Sequence, residues 1–302
     1  MRKLGVVGGA GGLGSTLAFH AGLTDLFETV ALVDVNRGRL ETQIIDLRES
    51  FCQECSTQVV GGDWEVLADC DALVLAAAAT GRQVNSRSDY LGANLGLVRE
   101  TADRAAQLCP QATLISCTAP VDVFVMILHG RLGWDRGRIL GFCLNDSLRF
   151  RWALSRVLQV DARRLDGLVL GEHGESQVLV WSSVKLDGRP HRLDEAAKAA
   201  VAKILADWYP HWQAQNSGRT TTWTSAVSLR RMLTALSAGR GASMASMVCR
   251  GEYGLTDVAA GLPVEVEAGG RASIVEIGLE DEELSLLRAS ADRIKALHAQ
   301  AV

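Results

Sequence analysis

The sequence predicts an α/β fold: a doubly wound parallel sheet, followed from about residue 146 by an α+β unit with an antiparallel sheet. Three observations carry that prediction. Short apolar runs alternate with helix-periodic stretches through the first 117 residues. Each run is apolar throughout rather than alternating, as strands covered on both faces are. Beyond about residue 145 the alternation stops and strand-like stretches run together. We expect two domains, 1–145 and 146–302, a division that a chain of 302 residues allows.

Residues 3–8 read as the first strand, followed by a glycine loop and a helix over about 13–23. Residues 30–35 (Val-Ala-Leu-Val-Asp-Val) are a second strand. A helix over 38–50 places Leu40, Ile44, Ile45 and Leu47 broadly on one side. Residues 72–76 are a third strand, and the polar, aperiodic 80–89 is a loop. The next helix covers about 90–108, with Pro110 just beyond it, and 112–117 is a further strand. In the second half a helix is expected near 146–158, strands at 166–170 and 177–185, and helices at 194–208 and 221–238. Segments around 243–250 and 262–277 read as antiparallel sheet. The acidic run Glu280-Asp281-Glu282-Glu283 opens a last helix, where negative charge complements the helix dipole. Leu284, Leu287, Ala291, Ile294 and Leu297 form its apolar stripe.

Composition narrows the function classes. Apolar content of 48% supplies sizeable cores, and 22% charge is ordinary for a soluble protein. A net charge of −4 without a basic block argues against nucleic acid as a partner. No apolar run approaches the roughly 20 residues that span a bilayer, so no membrane partner is expected. The opening Met1-Arg2-Lys3 and the apolar residues after it suit a strand and phosphate loop better than a leader peptide. Seven scattered cysteines, an odd number, point to reduced thiols and a cytoplasmic location. Cys52-x-x-Cys55 has no second CxxC or His pair to complete it, so no metal site is expected.

Gly9-Ala10-Gly11-Gly12-Leu13-Gly14 fits GxGxxG, and Gly8 makes it fit GxxGxxG as well. Glycines permit a tight turn and let phosphate approach backbone N–H groups at a helix start. The loop follows a strand, opens a helix, and has Asp34 at the end of the next strand, 20 residues past Gly14. An acid there accepts hydrogen bonds from a ribose diol and repels a 2′-phosphate, which favours NAD over NADP. Arg37 nearby leaves NADP open. The alternative is a glycine-rich turn with Asp34 merely capping the following helix. The cofactor reading makes the first half a Rossmann-type dinucleotide-binding domain.

The second constellation is Asp146-Ser147-Leu148-Arg149, followed 24 residues later by His173 within Gly171-Glu172-His173-Gly174-Glu175-Ser176. Asp146 and Arg149 are three apart and share a helix face. A carboxylate can hold a His in one tautomer, and an Arg can grip a carboxylate through two parallel hydrogen bonds. With the glycine loop, these parts indicate nicotinamide-dependent hydride transfer on a small anionic substrate. The bland alternatives are a surface ion pair for Asp146 and Arg149 and a structural histidine for His173.

These residues resemble the NAD-dependent lactate/malate dehydrogenase family, as a divergent member, nearly end to end. Asp146-Ser-Leu-Arg149-Phe-Arg151 resembles the family's LDxxRxR helix start, and residues 171–176 resemble its GEHGDS turn, with Glu175 in place of Asp. Thr220-Thr221-Thr222-Trp223 resembles the segment that lines the pocket from the second domain, with Thr221 on the substrate side. Gly254-Leu255-Thr256-Asp257 and Gly261-Leu262-Pro263 resemble the late sheet.

The resemblance implies roles. His173 is the acid/base, Asp146 orients it, and Arg149 binds the substrate carboxylate. Arg87, in the 80–89 loop, polarises the reacting carbonyl when a lid closes; the alternative is a solvated loop charge. Asn94 and Thr118 lie on the cofactor side with Gly8, Gly9, Gly11, Gly12, Leu13, Gly14 and Asp34. A homo-oligomer, dimer or tetramer, is implied as well. The apolar side of helix 38–50 serves either as its contact surface or as a core face.

Three departures stand out. The family's Asn-Pro after the fourth strand is here Thr118-Ala119-Pro120, so Ala119 removes a donor from the reacting oxygen, and either Thr118 compensates or the substrate does without that donor. Counting six residues back from Arg87, where malate enzymes place a second Arg to bind the distal carboxylate, gives Gly81; Arg82, one step along, takes that substrate-binding role only if the loop shifts by one residue. The lid's Pro-Gly is replaced by Val84-Asn85. The resulting roomier, less polar pocket suits an L-2-hydroxy acid/2-oxo acid pair with a bulkier or non-acidic side chain. Two alternatives stay open: an amino acid or imine oxidoreductase on the same fold, and a catalytically silent NAD-binding homologue.

Overall fold

The computed structural model describes residues 1–79, 87–218 and 220–301, without the side chains of 87–89. The first half alternates strand and helix: β1 (Lys3–Val7), α1 (Gly12–Leu23), β2 (Thr29–Val33), α2 (Arg37–Phe51), β3 (Gln58–Gly62), β4 (Ala72–Leu75), α3 (Arg87–Leu108), β5 (Thr113–Ser116), α4 (Val121–Leu132) and β6 (Ile139–Phe142). The second half holds α5 (Leu144–Leu158), β7 (Leu165–Gly171), β8 (Gln177–Leu186), β9 (Arg189–Pro190), α6 (Glu195–Ala214), α7 (Trp223–Ala238), β10 (Gly241–Arg250), β11 (Thr256–Glu267), β12 (Arg271–Ile274) and α8 (Asp281–His298).

Among the described residues, the strands join one twelve-stranded sheet in the order β3-β2-β1-β4-β5-β6-β10-β11-β7-β8-β9, with β12 on β11. From β3 to β6 every pair is parallel; from β6 onward every pair is antiparallel. Successive strands of the parallel half run outward from β1 in opposite directions, so the strand order reverses between β1 and β4. Open α/β sheets bind ligands in the crevice at such a switch point, beyond the strands' carboxyl ends.

The register aligns those ends. A single row of ladder partners crosses the sheet: Gly62, Val33, Val7, Leu75, Ser116, Gly141, Ser246, Gly261, Gly171 and Gln177. In the parallel half, the residues that follow this row form one rim: Asp63, Asp34, Gly8, Ala76, Cys117 and Phe142. The glycines of the row close the seam between the halves. A Cβ on Gly141 would lie 2.6 Å from Ser246 Cβ, and one on Gly261 would lie 3.0 Å from the Gly171 carbonyl.

Side chains alternate across the parallel strands and feed two cores. Leu73 and Leu75 pack with α3, α4 and α8; Val74 and Ile115 pack with α1, α2 and α7. A third core joins α5, β7, β8 and α6 around Phe150, Leu154 and Val201. On α2, Leu40, Ile44 and Leu47 are buried within the chain, whereas Ile45 is exposed. The apolar side of this helix is therefore a core face.

Three elements of the first half escape the periodicity reading, as does the two-residue β9 of the second. In β3, two glycines dilute the strand signal. The strand β6 has only four residues. The helix α4 (Val-Asp-Val-Phe-Val-Met-Ile-Leu-His-Gly-Arg-Leu) is rich in β-branched residues and has no continuous polar face. It is nevertheless required, because parallel β5 and β6 need a crossover connection. Two helices extend past their expected bounds. α3 starts at Arg87 rather than about 90, and α6 runs to Ala214 through Pro210 rather than stopping near 208.

Gly22 lets α1 pack on α2, because a Cβ there would run into the buried Phe51 ring. Gly22→Ala should destabilise the chain by ~1–3 kcal/mol as an overpacking change. Urea unfolding measures it, and an unchanged midpoint would mean that the α1–α2 contact is looser than described.

Candidate active site

The glycine loop takes its shape from the chain around it. Gly8 has φ +92° and a Cβ there would lie 2.7 Å from the Ala77 nitrogen; a Cβ on Gly14 would run into the Gly8 carbonyl. The Gly8 and Gly9 N–H groups donate to Val33 O, and Gly11 N–H donates to Gly8 O. Gly12 has a different cause: a Cβ there would lie 2.7 Å from the Thr222 methyl, so this glycine lets the approach to α7 close over the start of α1. Gly11 is the N-cap of α1 and has no side chain to cap the first-turn donors. Leu13 and Gly14 belong to that first turn. Uncapped N–H groups and the helix dipole together suit a phosphate.

Asp34 holds the second edge of this crevice. One of its carboxylate oxygens accepts from Ala10 N–H at 3.0 Å and the other from Asn36 N–H at 2.9 Å. Arg37 forms an ion pair with Asp63, which follows β3. The guanidinium that could have welcomed a 2′-phosphate is therefore engaged by a second acid. The cradle fits NAD.

Asp146, His173 and Arg149 meet where the two halves of the sheet join. Asp146 lies in the first turn of α5 and is 6% exposed. Its Oδ2 is 2.5 Å from His173 Nδ1, and its Oδ1 is 3.4 Å from an Arg149 terminal nitrogen. A carboxylate oxygen only accepts, so Nδ1 carries the proton of this bond and a neutral ring has Nε2 unprotonated. The His173 ring also meets Phe142 edge-on at 6.0 Å. Arg149 is largely buried, and that burial pulls its pKa down, with Asp146 opposing. Its guanidinium carbon lies 3.9 Å over the Trp208 ring. The neighbouring Cys143 is not a nucleophile: burial, then the Asp146 and Asp122 carboxylates, push its pKa well up.

The turn that carries His173 is fastened at both ends. Gly171 has φ +87° and a Cβ there would lie 2.6 Å from Ser290 Oγ on α8. Ser290 Oγ accepts the Glu172 N–H at 2.9 Å, and Glu172 in turn accepts the N–H and hydroxyl of Ser176. Glu175, exposed, pairs with Arg293 at 3.6 Å.

Asp122 is the acid that the sequence reading omits. It lies in the first turn of α4, 2% exposed, and its Oδ2 accepts the His173 backbone N–H at 2.8 Å. Burial raises its pKa to about 6, while Ser246 and His173 act to lower it. One signal was available: an isolated acid in an apolar run just after Pro120. For Trp208 there was none, because its contact joins two helices far apart in sequence.

Asn94 and Thr118 tie the rim loops together. The Asn94 carbonyl accepts Ala79 N–H at 2.7 Å and its amide donates to Ala119 O at 2.9 Å. The Thr118 hydroxyl donates to Ala77 O at 2.7 Å. Its proton is thus committed to the backbone and does not replace the donor missing at Ala119. The Ala119–Pro120 peptide is cis. Thr221 precedes α7, its hydroxyl 3.1 Å from that of Ser225. Gly81 and Arg82 lie outside the described residues, as does the side chain of Arg87, whose backbone starts α3. A cavity of 640 Å³ lined by Met1, Asp71, Pro110 and Gly270 lies at the strands' amino ends, opposite this rim. Among the described residues, no helix is long and apolar enough to cross a membrane.

Comparison with known proteins places the chain in one family. The family described as the lactate/malate dehydrogenase NAD binding domain matches residues 2–141, and the corresponding alpha/beta C-terminal domain matches 145–302. An L-lactate dehydrogenase of Treponema denticola is 31% identical, covering 97% of this chain and 96% of that protein. A malate dehydrogenase of Halobacterium salinarum is also 31% identical, covering 98% of each. Among solved structures, Cryptosporidium parvum malate dehydrogenase superposes with a TM-score of 0.93 at 26% identity, over 100% of this chain and 99% of that one. The lactate dehydrogenase of the same organism, complexed with lactic acid and β-nicotinamide adenine dinucleotide, gives 0.91 at 25%, over 99% and 97%.

Asp122 supplies a pH test. With a folded pKa of about 6 against an ordinary 3.8, the folded chain keeps this proton where the unfolded chain has lost it. Its contribution to stability therefore falls as pH rises from about 4 to about 6, by ~3 kcal/mol in all. Asp122→Asn keeps an acceptor for the His173 N–H and removes the titration. Urea unfolding should show the variant gaining on wild type through that window; a pH-independent difference would contradict it.

Proposed function

The chain belongs to the lactate/malate dehydrogenase family, and we propose a substrate class and residue roles from that premise. It is an NAD-dependent dehydrogenase that interconverts a 2-hydroxy acid and its 2-oxo acid. The finer reading is an L-2-hydroxy acid with a side chain bulkier or less acidic than that of malate. We read residues 1–145 as the cofactor half and 146–302 as the substrate half.

The observation that carries the reading is the Asp146 carboxylate between His173 and Arg149. In the oxidation direction His173 Nε2 takes the hydroxyl proton, and in reduction it returns a proton to the carbonyl oxygen. Asp146 accepts the Nδ1–H and offsets the positive charge that the ring gains. Arg149 holds the substrate carboxylate through two in-plane N–H groups, with Thr221 on the same side of the pocket. Arg87 polarises the reacting oxygen. When bound, NAD accepts or supplies the hydride, and the loop of Gly8, Gly9, Gly11, Gly12, Leu13 and Gly14, with Asp34, holds it. Asn94 and Thr118 keep the adjoining rim in place.

The substrate class follows from what is missing. Ala119 offers a methyl group where a donor would reach the reacting oxygen, and Thr118 spends its proton on Ala77. One such donor is worth ~2.7–4 kcal/mol in a transition state. Gly81, counted back from Arg87, brings no charge to a distal carboxylate. An apolar or larger side chain fits such a pocket better than a second acid. The missing donor also favours a second reading, C=N chemistry on an amino acid. Exposed Phe19, Leu23 and Ile45 on α1 and α2 support a homo-oligomer, which we place in the cytoplasm.

NAD reduction followed at 340 nm across L-malate, L-lactate, bulkier L-2-hydroxy acids and L-amino acids tests the substrate. We expect a bulkier or apolar hydroxy acid to lead; a preference for malate would remove the pocket argument, and a response to amino acids alone would establish the C=N reading. His173→Asn should lower kcat by ~10²–10⁴-fold with NADH binding retained. Arg149→Leu should raise KM for the acid by about 10- to 100-fold. Near-wild-type turnover in the first variant, or an unchanged KM in the second, would remove that residue from its role.

A further inference from the structure

Arg149 needs something other than Asp146 to fix its plane. The Asp146 carboxylate gives its short contact, 2.5 Å, to His173 and stands 3.4 Å from Arg149. That is well beyond the roughly 2.7–2.9 Å of a strong charge-assisted hydrogen bond. Meanwhile the guanidinium carbon lies 3.9 Å over the centroid of Trp208, within the ~6 Å reach of a cation–π contact. Trp208 is half-buried on α6, which packs along α5. Its ring stacks on Trp212, four residues on, at 5.4 Å and 21°. The indole is thus itself held in orientation.

We propose that Trp208 is a positioning residue for carboxylate recognition: its ring holds one face of the Arg149 guanidinium so that the in-plane edge meets the acid. This rests on the reading that Arg149 binds the substrate carboxylate. A guanidinium binds a carboxylate in its own plane, through parallel N–H groups on one edge. A partner on its face leaves that edge available; a partner on its edge would compete with the substrate. Arg149 is also largely buried, where a cation loses hydration, and an aromatic face replaces part of that loss without supplying a competing anion. A second carboxylate would neutralise the charge that the substrate needs. Two requirements, a fixed plane and a retained positive charge, are met by one ring.

Three variants separate the aromatic contact from simple packing: Trp208→Phe, Trp208→Leu and Trp208→Ala. For each, kcat and KM are measured with the best 2-oxo acid and NADH. The Kd of oxalate on the NADH-loaded enzyme is measured by calorimetry, and circular dichroism checks folding. The Leu and Ala variants should raise both KM and the oxalate Kd about tenfold, ~1.4 kcal/mol, with kcat changed less than about threefold. The Phe variant should restore binding to within about threefold of wild type. A Leu variant that binds oxalate like wild type, or a Phe variant as weak as Ala, overturns the aromatic role. If wild type itself neither binds oxalate nor reduces any 2-oxo acid, the reading of Arg149 fails and the role of Trp208 falls with it.

Discussion

The site depends on one buried carboxylate with two partners. Asp146 faces His173 through one oxygen and Arg149 through the other, at 6% exposure. Burying an anion is costly unless it is paired and hydrogen-bonded. Removing one member of a buried pair typically costs 3–5 kcal/mol, because the other charge is left without compensation. The buried Asp146 anion therefore depends on its two partners. The short contact goes to the imidazole, and this ranks the two tasks. Orienting His173 belongs to Asp146, while Arg149 is steadied from its face by Trp208.

The sheet brings that carboxylate to the cofactor crevice. The same row of ladder partners that ends β1 at Val7 passes through Gly141 and Ser246 and reaches Gly171, just before His173. The seam leaves no room for a side chain at Gly141 and is tight at Gly261. Two further links stiffen it. Asn94 ties the loop after β4 to Ala119, and three residues on Asp122 takes the His173 N–H. The path from the rim to His173 is thus a continuous set of hydrogen bonds and short chain, leaving little room to adjust one half without the other.

Much of this was legible in the sequence. Apolar strands between helical stretches predict the parallel half, and the glycine loop with Asp34 predicts its crevice. Asp146 and His173, 27 residues apart, are brought to 2.5 Å, a pairing that the family resemblance implied and local spacing could not. What escaped has physical reasons. The buried crossover α4 lacks the polar face that marks a helix, so its β-branched residues hide it. Asp122 sits in that same stretch and was lost with it. Trp208 touches Arg149 only because α6 packs on α5, a tertiary fact with no local motif. One glycine of the loop has a cause that no local motif shows. Gly12 makes room for Thr222, a residue more than two hundred positions away.

The central claim is that Asp146 holds the proton of His173 on Nδ1. Nitrogen-15 NMR of the imidazoles tests it directly, with the His173 signals identified by their loss in His173→Gln. In the neutral ring the account predicts a protonated Nδ1 and an unprotonated Nε2. A neutral His173 with its proton on Nε2 would contradict it, because the Asp146 contact would then lack a donor and the assigned base would not be available.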